Sequence, residues 1–362
     1  MKATHASIKA TLLVTAALFL TTALAYALNN FDWENLQSDI HGVAQETDAN
    51  VVNPWGMALA PSGNIWVNDN GAGVATVYHQ DGTPAPNSSA PLVVTIPASA
   101  SNSNGANPTG IVSNRTSFFT VTNGTNSLPA KFIFVSEDGM ISGWNPNLDS
   151  THALKAVDNG AGGAVYKGAT MGVADSHNFL YVTNFHAGKV ETYNESFVLQ
   201  GGFPFADPNL PAGYAPFGIG NFSGEIFVTF AKQKLPDKHD DESGPGHGFI
   251  DVFNTKGQFL RRLVSHGNLN SPWGLALAGF PEGNLEILGL WVGNFGDGRI
   301  NVYNPINGNF IGTPQDVFGN PLDFDDLWGL LVGNNGLFFS AGIVDEAHGL
   351  FGHIMQNSSP LR

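Results

Sequence analysis

Five short stretches of this chain gather side chains able to hold a cation or move a proton. They are Asn68-Asp69-Asn70, Glu137 with Asp138, Asn184 with His186, Asn294 with Asp297, and Asp345-Glu346 with His348. Four further polar residues, Asn53, Asn107, Ser271 and Asp326, stand immediately ahead of copies of one recurring phrase. Carboxylate and amide oxygens turned toward a common point suit a hard cation such as calcium, which takes oxygen ligands at ~2.3–2.6 Å. Asp69, Asp138, Asp297, Asp326 and Asp345 are the candidate metal ligands. A cation there could polarise a carbonyl or activate water, with His186 or His348 as general base. The same oxygens serve equally as a face for a small polar ligand. Asp and Asn are also the residues that tight hairpins favour, so a turn accounts for any one of these stretches alone.

A second acidic group lies in one segment, Lys232 through His247. It carries Asp237, His239, Asp240, Asp241 and Glu242 before Gly244-Pro245-Gly246-His247. A long loop inside a compact repeat reads as a lid or binding element, and also as a solvated excursion. Its spacing matches neither an EF-hand nor a zinc-binding helix.

The repeated phrase dictates what positions these loops. It reads Asn53-Pro54-Trp55-Gly56, Asn107-Pro108-Thr109-Gly110, Ala215-Pro216-Phe217-Gly218, Ser271-Pro272-Trp273-Gly274 and Asp326-Leu327-Trp328-Gly329. A degenerate copy, Tyr166-Lys167-Gly168-Ala169, fills the long gap. A period of roughly 50 to 58 residues is that of a four-stranded propeller blade with generous loops. Six blades follow, starting near residues 53, 107, 166, 215, 271 and 326. The expected fold is all-β, a six-bladed propeller of four-stranded antiparallel blades. Second strands are expected at runs such as Ile65–Val67 and Leu180–Val182, and third strands at Val74–Tyr78, Met140–Trp144 and Lys189–Tyr193. The recurrent glycine fits the crowded centre of the ring. The preceding aromatic is expected to wedge between adjacent blades. The last blade lacks a fourth strand of its own, so Leu36–Ile40 is expected to complete it, with Phe31 and Trp33 packed beside it.

Residues 1–25 carry the marks of an export signal: Lys2 and Lys9, the apolar run Ala10 to Leu20, and Ala23-Leu24-Ala25 as the cleavage site, with Ala25-Tyr26-Ala27 one step on. The mature chain, 26–362, is expected to be a single propeller, secreted or periplasmic, with no later membrane span. The chain has no cysteine, which excludes disulfides and thiolate chemistry. A net charge of −15 argues against nucleic-acid partners and leaves small polar ligands, cations or an extracellular protein. Asn87, Asn114, Asn123, Asn194, Asn221 and Asn357 lie in glycosylation sequons.

The stretches Asp48–Gly56, Trp66–Asn70, Thr183–His186 and Phe230–Gly248 resemble those of a group of exported bacterial propellers without an assigned function. The Leu290–Tyr303 unit is more distantly similar to NHL-type repeats. That likeness implies an interaction module or a metal-assisted lactonase or lyase, and carries no catalytic residue over. Two functions are therefore expected: a ligand- or protein-binding module using a polar channel mouth, or a calcium-type hydrolase or lyase at the same place.

Overall fold

The computed structural model describes residues 28–282, 285–334 and 336–356. The expected export signal and the Asn357 sequon lie outside them. Six antiparallel sheets stand around one axis. Their first strands are Pro54–Leu59, Pro108–Ser113, Tyr166–Ala174, Tyr214–Phe222, Pro272–Glu282 and Leu327–Val332. The expected second and third strands are present. Val74–Tyr78, Met140–Trp144 and Lys189–Tyr193 have the expected limits, and Ile65–Asp69 and His177–Asn184 run longer than read. Apolar strand faces meet between neighbouring blades, as where Trp66 of blade one packs on Phe132 of blade two at 4.1 Å.

The last blade is closed by the N-terminal segment, but by Phe31–Ser38 rather than Leu36–Ile40. This strand pairs antiparallel with Leu350–Gln356, from Phe31 opposite Gln356 to Ser38 opposite Leu350. Phe31 and Trp33 therefore lie in the strand itself. Phe31 faces inward onto Trp291, and Trp33 lies edge-on to Phe324. The ladder stops at Asp39 because its carboxylate takes the Gly349 N–H (2.9 Å) and the His348 imidazole (2.6 Å). A short strand, Glu46–Thr47, adds a fifth member to this sheet by pairing parallel to Gln37–Ser38.

Each first strand is bulged at the repeated phrase. The register slips between Pro54 and Met57, Pro216 and Ile219, Pro272 and Gly274, Leu327 and Leu330, and likewise in blades two and three. A bulge re-aims a side chain. Here it turns the residue before the glycine to the axis, which corrects the expectation of inter-blade wedges. Trp55, Phe217, Trp273 and Trp328 meet across the channel. Trp55 stacks on Trp328 with centroids 3.3 Å apart, and Trp273 stands edge-on to both at 6.0 and 5.8 Å. The glycines let the ring close this tightly. A methyl at Gly218 would run into the Trp273 carbonyl, and one at Gly329 into that of Trp55.

Candidate functional site

Five of the six residues that the bulges turn inward are uncharged: Trp55, Thr109, Phe217, Trp273 and Trp328. The sixth is Lys167, only 2% exposed. Its ammonium pairs with Glu137, stands 3.7 Å from Asp240, and lies 5.0 Å from the centre of the Trp55 ring. Phe185 and Phe217 supply two further ring faces at 5.9 and 6.0 Å. Burial acts to lower the lysine's pKa, but the neighbouring carboxylates, Glu137 first, outweigh it and hold the ammonium above its ordinary range.

Glu137 comes from the turn after the second strand of blade two, and its other oxygen accepts Asn70 Nδ2 at 3.0 Å. Asn70 and Phe295 hold the same place in blades one and five. In all three blades this residue donates its backbone N–H to the residue that opens the blade, Asn53, Asn107 or Ser271. The repeat thus sets three side chains around one mouth. Asn53, Ser271 and Asp326 share left-handed φ values of 46°, 48° and 49°, so the entrance position turns the chain into the first strand in these blades.

The Lys232–His247 segment folds back as a small hairpin. Lys234 N–H donates to Asp240 O (2.8 Å), Glu242 N–H to Lys232 O (2.7 Å), and Gly244 N–H to the Asn270 side chain (2.7 Å). This carries His239, Asp240 and Asp241 over the mouth. His239 Nδ1 lies 2.8 Å from Asp240, which draws the carboxyl down to about 2 and raises the imidazole. Burial pushes the Asp241 carboxyl up. Asp237 is exposed and is not among the chamber's lining residues. Glu242 pairs with Lys232, and His247 Nδ1 bonds the Glu242 carbonyl, so these residues hold the hairpin rather than line the mouth.

Glu346 closes the circle from blade six. It ends three successive left-handed residues, Val344, Asp345 and Glu346, at φ 61°, 52° and 61°. Its Oε1 accepts Asn53 Nδ2 at 2.9 Å and Trp328 Nε1 at 3.2 Å. Burial, reinforced by Glu137 and Asp326, raises its carboxyl to about 7 against the opposing Asn53 hydrogen bond. Asp326, at the rim, is raised to about 6 by burial and by Asp325 and Asp345. Phe295 stacks on Trp328 at 4.2 Å. Lid, mouth and aromatic plug line a chamber of about 400 Å³ that stays open to solvent on one side. Beneath the plug the channel continues as a separate space of about 170 Å³ lined by glycine backbone and apolar side chains.

Of the sequence-derived candidates, Asn53, Glu137, His239, Asp240 and Asp241 line this chamber. The others lie elsewhere. Asn68 is buried and ties blade one to Thr109 O of blade two at 3.0 Å. Asp69 is sealed inside blade one, accepts the Thr76 hydroxyl at 2.8 Å, and has its pKa pushed well up by burial. Asn107 donates weakly to Asn70 O at 3.4 Å. Asp138 caps Ser99 N–H at 2.6 Å, outside the chamber. Asn184 serves the buried Glu191 at 2.9 Å. His186 is exposed beside Gly163, Asn294 and Asp297 bond each other at 3.0 Å, and Asp345 is exposed. His348 is committed to Asp39. The five candidate aspartates do not converge. Among the described residues, the group whose ligand atoms lie within 4.8 Å of one another is Glu137, His239 and Asp240. Sequence reasoning missed Lys167 and Phe295, and it placed Glu346 in a mouth loop without choosing it as a ligand. The signal for Lys167 was present, since a charge replaces an aromatic in one copy of the repeat.

Fold and mouth together define a six-bladed propeller with a polar, lidded chamber at one end of a plugged channel. No family model matches the chain. It belongs to the same family as an uncharacterised protein of Acanthamoeba polyphaga mimivirus, 31% identical over 325 residues that span 87% of this chain and 77% of the viral protein. A second uncharacterised mimivirus protein is 30% identical over 335 residues, covering 89% and 85%. These relatives are viral, where the sequence resemblance pointed to bacterial proteins. Among solved structures, virginiamycin B lyase from Staphylococcus aureus aligns with a TM-score of 0.51 at 15% identity, covering 90% of this chain and 99% of the lyase. A protein of unknown function from Bacteroides thetaiotaomicron aligns with a TM-score of 0.53 at 8% identity, covering 90% and 76%. Both share the fold.

Proposed function

We propose that this protein is an exported binding module that holds a small polar ligand in the lidded chamber. The observation that carries the reading is convergence. Lys167, Glu137, Glu346, Asn53 and Phe295 come from five blades, and the fourth blade adds the lid. The volume falls within the ~300–1,000 Å³ usual for small-molecule sites. A thermal-shift panel of small sugars, amines and carboxylates tests it. At least one class should raise the Tm of the wild type by several degrees and leave Asp241→Asn unmoved. No shift with any compound at millimolar concentration would contradict the reading. Export belongs to the same proposal and rests on residues 1–25; N-terminal sequencing of secreted protein should begin at Tyr26 or Leu28.

A metal-assisted hydrolase or lyase is the second reading, favoured by the Glu137, His239 and Asp240 group. Two carboxylates and an imidazole suit a transition metal better than calcium. Lys167 competes for the same oxygens. A +2 ion about 4 Å from its ammonium would meet a repulsion of about 8 kcal/mol at an effective dielectric near 20. Stabilisation by zinc or manganese that His239→Ala abolishes would favour this second reading over the first.

A further inference from the structure

We propose that the ligand of this chamber is a neutral polyhydroxylated ring, a monosaccharide or cyclic polyol, seated against Phe295 beneath the lid; this rests on the chamber being the binding site. Two observations carry the choice of class. The wall carries both signs. Lys167 pairs with Glu137 and His239 with Asp240, and Asp241, Glu346 and Lys234 complete the charged lining. An anion would meet four carboxylates, and a cation would meet two lysines. A hydroxyl both donates and accepts, so a molecule bearing several can satisfy neighbours of either kind without carrying charge. The second observation is an apolar face within this polar wall. Phe295 is half-buried, one side stacked on Trp328 and the ring forming part of the chamber lining. The C–H face of a saturated ring packs on such a surface, whereas a flexible polar chain gains little from it.

Glu346 fits the same ligand. Its Oε1 is fixed by Asn53 and Trp328, so the carboxyl is oriented before anything binds. Fixed carboxyl and amide groups beside an aromatic ring read the spacing of vicinal hydroxyls.

Isothermal titration separates the classes. The probes are D-glucose, D-galactose and myo-inositol against choline chloride and sodium succinate, with wild type, Phe295→Leu and Phe295→Ala. At least one polyol should bind saturably. Its affinity should fall about tenfold in Phe295→Ala, as expected for losing a ring contact, and less in Phe295→Leu. Leu retains apolar bulk, so its fold reports on any collapse of the Ala variant. Choline or succinate binding in a Phe295-dependent way, with no polyol binding, would overturn the ligand class and leave the chamber as the site. Polyol binding equal in all three proteins would place it elsewhere and overturn the proposal. Absence of binding by every probe would overturn it as well.

Discussion

Lys167 holds a position that four of the six blades fill with tryptophan or phenylalanine. A buried ammonium there survives because Glu137 and Asp240 compensate it and three rings face it. Glu346 is the opposite case, a carboxyl that burial makes costly to ionise. Its folded pKa of about 7 exceeds the value of ~4.3 of an unfolded chain, so the folded state binds more protons between those values. Stability is accordingly lost as pH rises from ~4.5 through 7, on the order of 3 kcal/mol, and then levels off. Glu346→Gln keeps an oxygen for Asn53 and Trp328 and removes the charge. Urea unfolding should show the variant gaining on wild type across that window, while a pH-independent difference would refute the assignment. Neither residue stood out from the sequence. Lys167 read as a worn copy of a motif, and Glu346 as one acid among several in a turn. Burial and neighbours, which give both their character, depend on which blades meet at the axis.

Among elements, the first strands are the most legible and also the least completely read. Glycine and period, with proline in four copies, located all six. What periodicity does not encode is the bulge, because a slipped register depends on the pairing strand. The slip decides whether Trp55, Trp273 and Trp328 face a neighbouring blade or the channel. The lid was recognisable by its length, whereas its inward fold depends on partners such as Asn270 that lie outside it. Close approach at the axis makes a sharp prediction. Gly218→Ala places a methyl against the Trp273 carbonyl, and backbone cannot yield as a side chain can. A loss of roughly 1–3 kcal/mol or more is expected in denaturant midpoint, against less than 0.5 kcal/mol for alanine at Gly201, which has open space around it. Equal effects would mean the ring closes less tightly than described.

The whole molecule is a ring whose two chain ends share one sheet. Without a disulfide, closure rests on the pairing of Phe31–Ser38 with Leu350–Gln356 and on Asp39 binding His348 and Gly349. Deleting residues 28–38 would expose the edge of the Leu350–Gln356 strand, and light scattering should report association that the full chain does not show. Monodisperse, cooperatively folding truncated protein would count against this closure. The ring also makes the chamber a property of the assembly, since every blade or its loops contribute a wall. The most direct test of the account is a crystal soaked in D-galactose and myo-inositol at tens of millimolar, in a lattice that leaves the lid free. Electron density for a ring between Phe295, Lys167 and Glu346 is the predicted result. An empty chamber, or density only in the apolar half of the channel or on the outer blade edges, would contradict it.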